Sequence, residues 1–145
     1  MKIYFGGSIR GGRDDQPIYE KFISFLQQEG VTVLCEHVGY KDLSEHGQDL
    51  DSSEIHDRDL SWIDEADGLM AEVTNPSLGV GYEISYAVHV AKIPVLVLFR
   101  GGEQGKRLSA MLEGSFGIQV CNYTSDNLEA AHSTIKEFLE NTQTT

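Results

Sequence analysis

The stretch Pro94-Val95-Leu96-Val97-Leu98-Phe99 decides the fold of this chain. Every residue in it is apolar, whereas a strand with one face in water alternates apolar and polar residues. An unbroken apolar run of this length is typical of a central parallel strand that is covered on both faces. We therefore predict a β-strand at 94–99 in the middle of a parallel sheet.

Strand-like and helix-like segments alternate on both sides of this run. Further strands are predicted at 2–6, 31–36, 68–73 and 118–123. Helices are predicted after Pro17, at 53–66, at 79–92, at 107–112 and along the apolar stripe Leu128, Ala131, Ile135, Phe138 and Leu139. Parallel strands require crossover helices, so the pattern indicates one α/β domain over residues 1–145. We predict a doubly wound five-stranded parallel sheet of Rossmann or flavodoxin type, with helices on both faces.

Composition narrows the classes of partner. The net charge of -12 argues against binding a nucleic acid polymer, which requires a basic face. A small anion remains possible, because backbone N–H groups and a few arginines can hold a phosphate locally. No stretch approaches the ~20 apolar residues of a membrane-spanning helix, so no membrane partner is expected.

The cysteines and histidines predict neither a disulfide nor a metal site. Cys35 and Cys121 lie in apolar strand-like runs and are expected to be buried reduced thiols, which favours a cytoplasmic or nuclear location. The start of the chain has no signal-peptide pattern. The histidines are scattered without zinc-like spacing, and we predict no metal and no cofactor.

Chemistry-bearing residues cluster after the predicted strands, at the edge where doubly wound folds bind their ligands. The first strand is followed by Gly6-Gly7-Ser8-Ile9-Arg10-Gly11-Gly12-Arg13. Glycines allow close backbone approach, and serine and arginine donate hydrogen bonds, so the segment suits a sugar phosphate. Its spacing differs from the dinucleotide-binding fingerprint, and a plain glycine-rich turn is the alternative interpretation.

The third strand is followed by Thr74-Asn75-Pro76-Ser77-Leu78-Gly79-Val80-Gly81-Tyr82-Glu83. Ser77, Gly79 and Gly81 are expected to present free N–H groups at the start of a helix, which is an anion site. Glu83 falls about one turn into that helix. A purely structural glutamate there is the alternative, since acids near a helix N-terminus are favourable by ~0.3–1 kcal/mol.

The helix at 53–66 offers a candidate for a second carboxylate close to Glu83, with a solvated surface acid as the alternative interpretation. The helix at 53–66 carries several acids, most of which form a solvated face. Asp59 is different, because it lies beside the apolar positions Leu60 and Ile63. Two neighbouring carboxylates in different environments are the usual equipment for breaking a glycosidic bond.

Three motifs together resemble one family: Tyr4-Phe5-Gly6-Gly7-Ser8-Ile9-Arg10-Gly11-Gly12, Asp57-Arg58-Asp59-Leu60 and Ser77-Leu78-Gly79-Val80-Gly81-Tyr82-Glu83. The chain resembles the 2′-deoxynucleoside 5′-phosphate N-hydrolases, relatives of the nucleoside 2-deoxyribosyltransferases. The resemblance implies hydrolysis of 2′-deoxynucleoside 5′-monophosphates to free base and 2-deoxyribose 5-phosphate. It further implies a retaining mechanism with Glu83 as nucleophile, Asp59 as acid/base or sugar-orienting group, and Tyr4 as a hydrogen-bond donor to Glu83.

The resemblance also implies where the substrate binds. The 5′-phosphate is expected at Ser8, Arg10, Ser77 and Gly79, with Gly7 and Gly11 in the same loop. The base is expected near Ile9 and His37. Ser109 and Met111 are expected to reach the site from a second subunit, which implies a homodimer with shared active sites.

Several alternatives stay open from the sequence. Transfer of deoxyribose to a second base would use the same nucleophile, and a CMP-type ribonucleotide N-hydrolase would differ in its sugar. A nucleotide- or flavin-binding module without catalysis would lack a placed nucleophile. A phosphoribohydrolase of the lysine-decarboxylase-like group would carry Pro-Gly-Gly-x-Gly-Thr, whereas Ser-Leu-Gly-Val-Gly follows Pro76 here.

Overall fold

A computed structural model describes residues 1–42, 50–102 and 105–144 of the chain. Its strands form a single parallel sheet in the order β2-β1-β3-β4-β5. The strand bounds are β1 Lys2–Gly6, β2 Thr32–Leu34, β3 Gly68–Glu72, β4 Val95–Phe99 and β5 Ile118–Asn122. The predicted doubly wound parallel sheet is confirmed.

The apolar run that decides the fold forms β4, between β3 and β5 in the sheet. All residues of β3 and β4 are buried, so both faces of the sheet centre are covered. Burying one aliphatic side chain stabilises the fold by about 1.5–3 kcal/mol, and β3 and β4 bury several such side chains. The sequence pattern and the burial therefore agree at the centre of the sheet.

The α-helices within the described residues are α1 Gln16–Gln28, α2 Ser52–Glu65, α3 Leu78–Tyr86, α4 Ala110–Glu113 and α5 Ala130–Gln143. The first four lie between strands, and α5 follows β5. The chain leaves β1 toward β2 but leaves β3 toward β4, in the opposite direction. Right-handed crossovers then place α1 and α3 on opposite faces. Phe25 of α1 stacks on His132 of α5, and Tyr86 at the end of α3 donates to Asp64 of α2, so each face carries a pair of packed helices.

Local chemistry sets the helix starts. Pro17 lies in the first turn of α1, where its missing N–H costs nothing. The Glu54 carboxylate accepts a hydrogen bond from Asp51 N–H at 3.0 Å, which closes a capping box at the start of α2. These features fix where α1 and α2 begin.

Some element boundaries differ from the predictions. The second strand ends at Leu34 instead of residue 36, because Cys35 adopts a left-handed conformation with φ of 64°. The third helix is α-helical only to Tyr86 and continues as a π-helical turn over Ala87–Ala91. The short fourth helix begins at Ala110, three residues later than predicted. None of these shifts changes the order of elements.

The state of the cysteines and the character of the helices are both predicted from the sequence. Cys35 and Cys121 are both buried free thiols. Within the described ranges, no helix has the length and apolar character that a membrane crossing requires.

Candidate active site

A cleft of about 540 Å³ opens at the carboxyl ends of β1 and β3, where the strand order reverses. Ligands of doubly wound folds bind at this position. Most of the predicted site residues line the cleft: Gly7, Ile9, Arg10, Gly11, His37, Asp59, Ser77, Gly79 and Glu83. The cleft is also lined by residues outside the predicted set: Ser52, Ile55, Arg58, Pro76, Leu78 and Val80.

The glycine-rich loop after β1 packs tightly against its surroundings. A Cβ added at Gly7 would lie 2.8 Å from Val38 Cγ1. A Cβ added at Gly11 would lie 2.6 Å from both Pro76 O and Ser8 Oγ. These separations are far shorter than van der Waals contact, so only glycine fits without moving the loop. The close approach holds the loop directly against the segment that leads into α3.

Side chains from other segments fix the same loop. Asn75 Nδ2 donates to the carbonyl oxygens of Gly11 and Gly12, each at 3.2 Å. Arg13 Nη1 donates to Val38 O at 2.7 Å, which ties the loop to the 3₁₀ turn after β2. The loop is therefore held in place by hydrogen bonds before any ligand binds.

The start of α3 forms the opposite wall of this end of the cleft. Ser77 is the N-cap residue, and its Oγ accepts a hydrogen bond from Val80 N–H at 3.3 Å. The N–H groups of Leu78 and Gly79 lie in the same first turn of α3, before Val80. Both residues line the cleft. The prediction of a free N–H at Gly81 is wrong, because that group donates to Ser77 O as an ordinary helical bond.

Glu83 lies on α3 with its carboxyl at the floor of the cleft. A Cβ added at Gly6 would lie 3.3 Å from Glu83 Oε2, so the absence of a side chain at Gly6 leaves room for the carboxyl. Burial and the negative charge of Asp59 raise the pKa of Glu83 to about 7, and the Tyr4 hydroxyl acts in the opposite direction. Near neutral pH this carboxyl therefore exists in both protonation states.

Tyr4 lies on β1 directly below the cleft and is fully buried. Its hydroxyl has no partner of ordinary hydrogen-bond geometry among the described residues. Burial, followed by the nearby Cys35, Glu83 and Asp59, raises the pKa of Tyr4 well above its usual value. The phenol consequently stays protonated and can donate its single proton toward Glu83, the role that the resemblance implies.

Asp59 lies on α2 and is paired with its neighbour Arg58. Arg58 donates to Asp59 Oδ1 from Nε at 3.0 Å and from Nη2 at 2.8 Å. The Arg58 guanidinium also lies 4.6 Å from the ring centre of Trp62, in cation–π contact. The His37 ring lies 5.9 Å from the same indole. These contacts place a positive charge in the wall of the cleft.

A helical spacing in the sequence marks the α2 wall of the cleft. Ser52, Ile55 and Asp59 follow each other at intervals of three and four residues, so they share one helix face. The apolar neighbours of Asp59 mark only part of this face, which extends back to Ser52. Arg58 lies within the quoted Asp57-Arg58-Asp59-Leu60 motif, although no role was assigned to it.

Four predicted residues do not line the cleft: the buried Tyr4, Ser8, Ser109 and Met111. Ser8 belongs to the glycine-rich loop but is fully buried, and its Oγ has no hydrogen-bond partner among the described residues. Ser109 caps α4 by accepting a hydrogen bond from Met111 N–H at 3.3 Å, and Met111 is largely exposed. The predicted positions of Ser109 and Met111 refer to a second subunit, so a single chain does not test them.

A buried polar cluster lies behind the cleft at the ends of β3, β4 and β5. Tyr123 Oη donates to Glu72 Oε1 at 2.9 Å, and Thr74 Oγ1 donates to the same oxygen. Arg100 N–H donates to Thr74 Oγ1 at 2.9 Å, and Arg100 Nη2 donates to Asp15 Oδ1 at 2.5 Å. Burial raises the pKa of Glu72. The cluster ties three strand ends to the start of α1, just beyond the glycine-rich loop.

No group of three or more His, Cys, Asp or Glu side chains suited to a metal ion occurs within residues 1–42, 50–102 and 105–144. The cleft thus offers a buried carboxyl, a second carboxyl and two segments rich in backbone N–H groups.

Comparison with known proteins places this chain in a family. The sequence profile of the nucleoside 2-deoxyribosyltransferases matches residues 3–133.

The chain belongs to the nucleoside 2-deoxyribosyltransferase family. A 5-hydroxymethyl-dUMP N-hydrolase from Danio rerio is 48% identical over 144 residues, covering 97% of this chain and 96% of the relative. The human protein of that name is 45% identical over 133 residues, covering 88% and 75%. A putative 2′-deoxynucleoside 5′-phosphate N-hydrolase from Trichoplax adhaerens is 52% identical over 113 residues, covering 78% and 75%.

Solved structures show the same fold at lower identity. The solution structure of BlsM has a TM-score of 0.71 at 19% identity and covers 97% of this chain and 90% of its own. The CMP N-glycosidase BcmB from Clostridium botulinum has a TM-score of 0.64 at 16% identity, covering 94% and 99%. Family membership confirms the resemblance that the motifs predicted. The chain is an enzyme, which removes the binding module without catalysis from the alternatives.

Proposed function

We propose that this enzyme hydrolyses the N-glycosidic bond of 2′-deoxynucleoside 5′-monophosphates, releasing the base and 2-deoxyribose 5-phosphate. The observation that carries the proposal is the buried Glu83 carboxyl, which lies beside Gly6 in a cleft that also holds Asp59. The relatives named 5-hydroxymethyl-dUMP N-hydrolase match nearly the whole chain. We therefore take 5-hydroxymethyl-dUMP as the first substrate to test.

Glu83 acts as the nucleophile in two steps. Its carboxylate attacks the anomeric carbon, the carbon–nitrogen bond breaks, and a glycosyl ester forms; water then cleaves the ester and frees the sugar phosphate. Burial disfavours a charged carboxylate, and the attack converts it into a neutral ester. Two displacements at the same carbon retain the anomeric configuration.

The 5′-phosphate binds between the glycine-rich loop and the start of α3. Arg10, Gly11, Ser77 and Gly79 line this end of the cleft. Backbone N–H groups and the positive end of the α3 dipole favour an anion there. Binding energy from this remote group aligns the anomeric carbon with Glu83 and so lowers the barrier of the reaction.

We also propose a homodimer in which Ser109 and Met111 of one subunit reach the site of the other. Leu78, Met111 and Phe116 are almost completely exposed, and Leu78 also lies in the wall of the cleft. A second subunit that packs on these side chains would remove their apolar surface from water. The buried reduced cysteines fit a cytoplasmic or nuclear enzyme.

The direct test is a product assay on a panel of nucleotides. Wild-type enzyme is incubated with 2′-deoxynucleoside monophosphates, CMP and the matching nucleosides, with and without a second free base. We expect equimolar base and 2-deoxyribose 5-phosphate from the deoxynucleotides alone. Formation of a new nucleotide with the second base would establish transfer instead, and preferential cleavage of CMP would establish the ribonucleotide alternative.

Replacing Gly11 by alanine is expected to raise KM for a deoxynucleoside monophosphate by about 10²-fold, equivalent to roughly 2.7 kcal/mol. The added Cβ would lie 2.6 Å from the Pro76 backbone oxygen and force the loop away from α3. Gly81→Ala is the matched control, because a Cβ there meets nothing within 4 Å and the position is helical. Steady-state kinetics with nucleotide and nucleoside compare the two variants. Equal losses on both substrates in Gly11→Ala would contradict a phosphate site at this loop.

The pH dependence of kcat/KM is expected to show an acid limb that levels off above about pH 7, because Glu83 attacks as a carboxylate. Tyr4→Phe should move this limb to higher pH, since the hydroxyl lowers the pKa of Glu83. Asp59→Asn should move it to lower pH, since the Asp59 charge raises the same pKa. Titration of the substrate phosphate also contributes to the pH profile, but it does so equally in wild type and in both variants, so it does not affect the comparison. Shifts of the two variants in the same direction would contradict Glu83 as the titrating group.

A further inference from the structure

Arg58 has no role in the reaction described so far, although it lines the cleft beside Asp59. Its side chain is held from two directions, by two hydrogen bonds to Asp59 Oδ1 and by the Trp62 ring. The side chain is 23% exposed, so the charge is held close to the protein and still borders the cleft. A guanidinium fixed in this way is a preorganised positive charge.

The position of Arg58 relative to a bound nucleotide follows from the places of the phosphate and of the anomeric carbon. The phosphate lies at the glycine-rich loop and the start of α3, and the anomeric carbon lies at Glu83. The remaining wall of the cleft is formed by α2, through Ser52, Ile55 and Arg58, together with His37. Arg58 and His37 both contact Trp62, so they lie at the same end. The base attached to the anomeric carbon must occupy this end.

We propose that Arg58 is a further catalytic residue, whose guanidinium stabilises the negative charge that develops on the departing base. When the carbon–nitrogen bond breaks, its electron pair passes to the base nitrogen while a Glu83 oxygen donates a pair to the anomeric carbon. Negative charge thereby moves from Glu83 to the base. The base anion takes a proton from the water that later hydrolyses the ester, so the products are neutral base and sugar phosphate. This inference rests on the proposed function.

The Arg58–Asp59 pair also bears on the open role of Asp59. Two N–H donors of Arg58 converge on one carboxylate oxygen of Asp59, so the two side chains are held as a unit. In this unit Asp59 orients the guanidinium, and the charge on the departing base is met by Arg58.

The test compares leaving groups of different acidity on wild-type enzyme, Arg58→Gln and Arg58→Lys. The substrates are the monophosphates of deoxyuridine, thymidine, 5-fluorodeoxyuridine and 5-bromodeoxyuridine. Methyl and bromine are similar in size but shift the acidity of the base in opposite directions, which separates electronic from steric effects. Arg58→Gln should lower kcat/KM for thymidine monophosphate by about 10²-fold. The loss should shrink for the fluoro and bromo substrates, and Arg58→Lys should lose less.

Lys21→Gln controls for the loss of one positive charge, because Lys21 is exposed on α1 away from the cleft. Circular dichroism and thermal unfolding establish that each variant is folded. If wild-type enzyme releases no base from any of these nucleotides, the proposed function itself fails. If it does release base but Arg58→Gln loses the same factor on every substrate, only the role of Arg58 is overturned. The dependence of kcat/KM on the acidity of the leaving base could instead change in Asp59→Asn but not in Arg58→Gln. That result would assign the stabilisation of the departing base to Asp59 and would also overturn the role of Arg58.

Discussion

Glu83→Gln is expected to lower kcat on deoxynucleoside monophosphates by at least about 10³-fold, because an amide cannot form the glycosyl ester. Glutamine has nearly the shape of glutamate, so it still fills the space beside Gly6. The neighbouring Tyr4 hydroxyl still faces a polar group. The phosphate-binding segments lie elsewhere in the cleft and stay unchanged. The variant should therefore bind nucleotide with close to wild-type affinity.

Two measurements separate the loss of chemistry from the loss of binding. Base release is followed under single-turnover conditions, and nucleotide affinity is measured by calorimetry on the same preparation. Glu65→Gln, at an exposed position of α2 whose side chain pairs with Lys2, serves as the control and should keep wild-type turnover. Turnover of Glu83→Gln within tenfold of wild type would contradict the nucleophile assignment.

The same substitution is expected to stabilise the folded protein at alkaline pH, by up to about 3 kcal/mol at pH 8. The pKa of Glu83 is raised from 4.5 to about 7 in the folded chain. A raised pKa means that the folded state holds the proton more tightly than the unfolded state. The wild-type contribution is thus fully present below pH 4.5 and lost as the pH rises through about 7. Glutamine removes the charge and with it the loss.

Urea unfolding of wild type and Glu83→Gln at pH 4.5 and pH 8 measures this effect. The variant should gain stability at pH 8 and match wild type at pH 4.5, while Glu65→Gln should change little at either pH. A gain of equal size at both values would indicate better packing instead of relief of a buried charge. Stability gained at the cost of activity is expected for a residue held in an unfavourable state for catalysis.

The sheet and the position of Glu83 could be predicted because they depend on patterns local in sequence. The unbroken apolar run 94–99 predicts a buried strand in the middle of the sheet without knowledge of its neighbours. The alternation of strands and helices predicts that the sheet is parallel. The distance of Glu83 from Ser77 along one helix predicts its position. The reversal of strand order then brought the two segments to one cleft, as general rules for such folds require.

Other features depend on contacts that no local pattern encodes. The direction of the Arg58 side chain is set by Trp62 one turn later and by Asp59, and a charged residue on α2 gives no sign of this by itself. Glu72 belongs to an apolar strand, where only the fold reveals Tyr123 and Thr74 as its donors. The left-handed Cys35, which shortens β2, carries no glycine or asparagine signal.

The most direct test of the central claim is to trap the ester on Glu83. A monophosphate of a 2′-fluorinated arabinosyl nucleoside slows both steps, because the fluorine destabilises the positive charge that develops at the anomeric carbon. Enzyme quenched after incubation with it is examined by intact and peptide mass spectrometry. We expect one fluorinated sugar phosphate per active site, located on Glu83 and absent from Glu83→Gln. Base release without any adduct, or an adduct on another residue, would contradict the account.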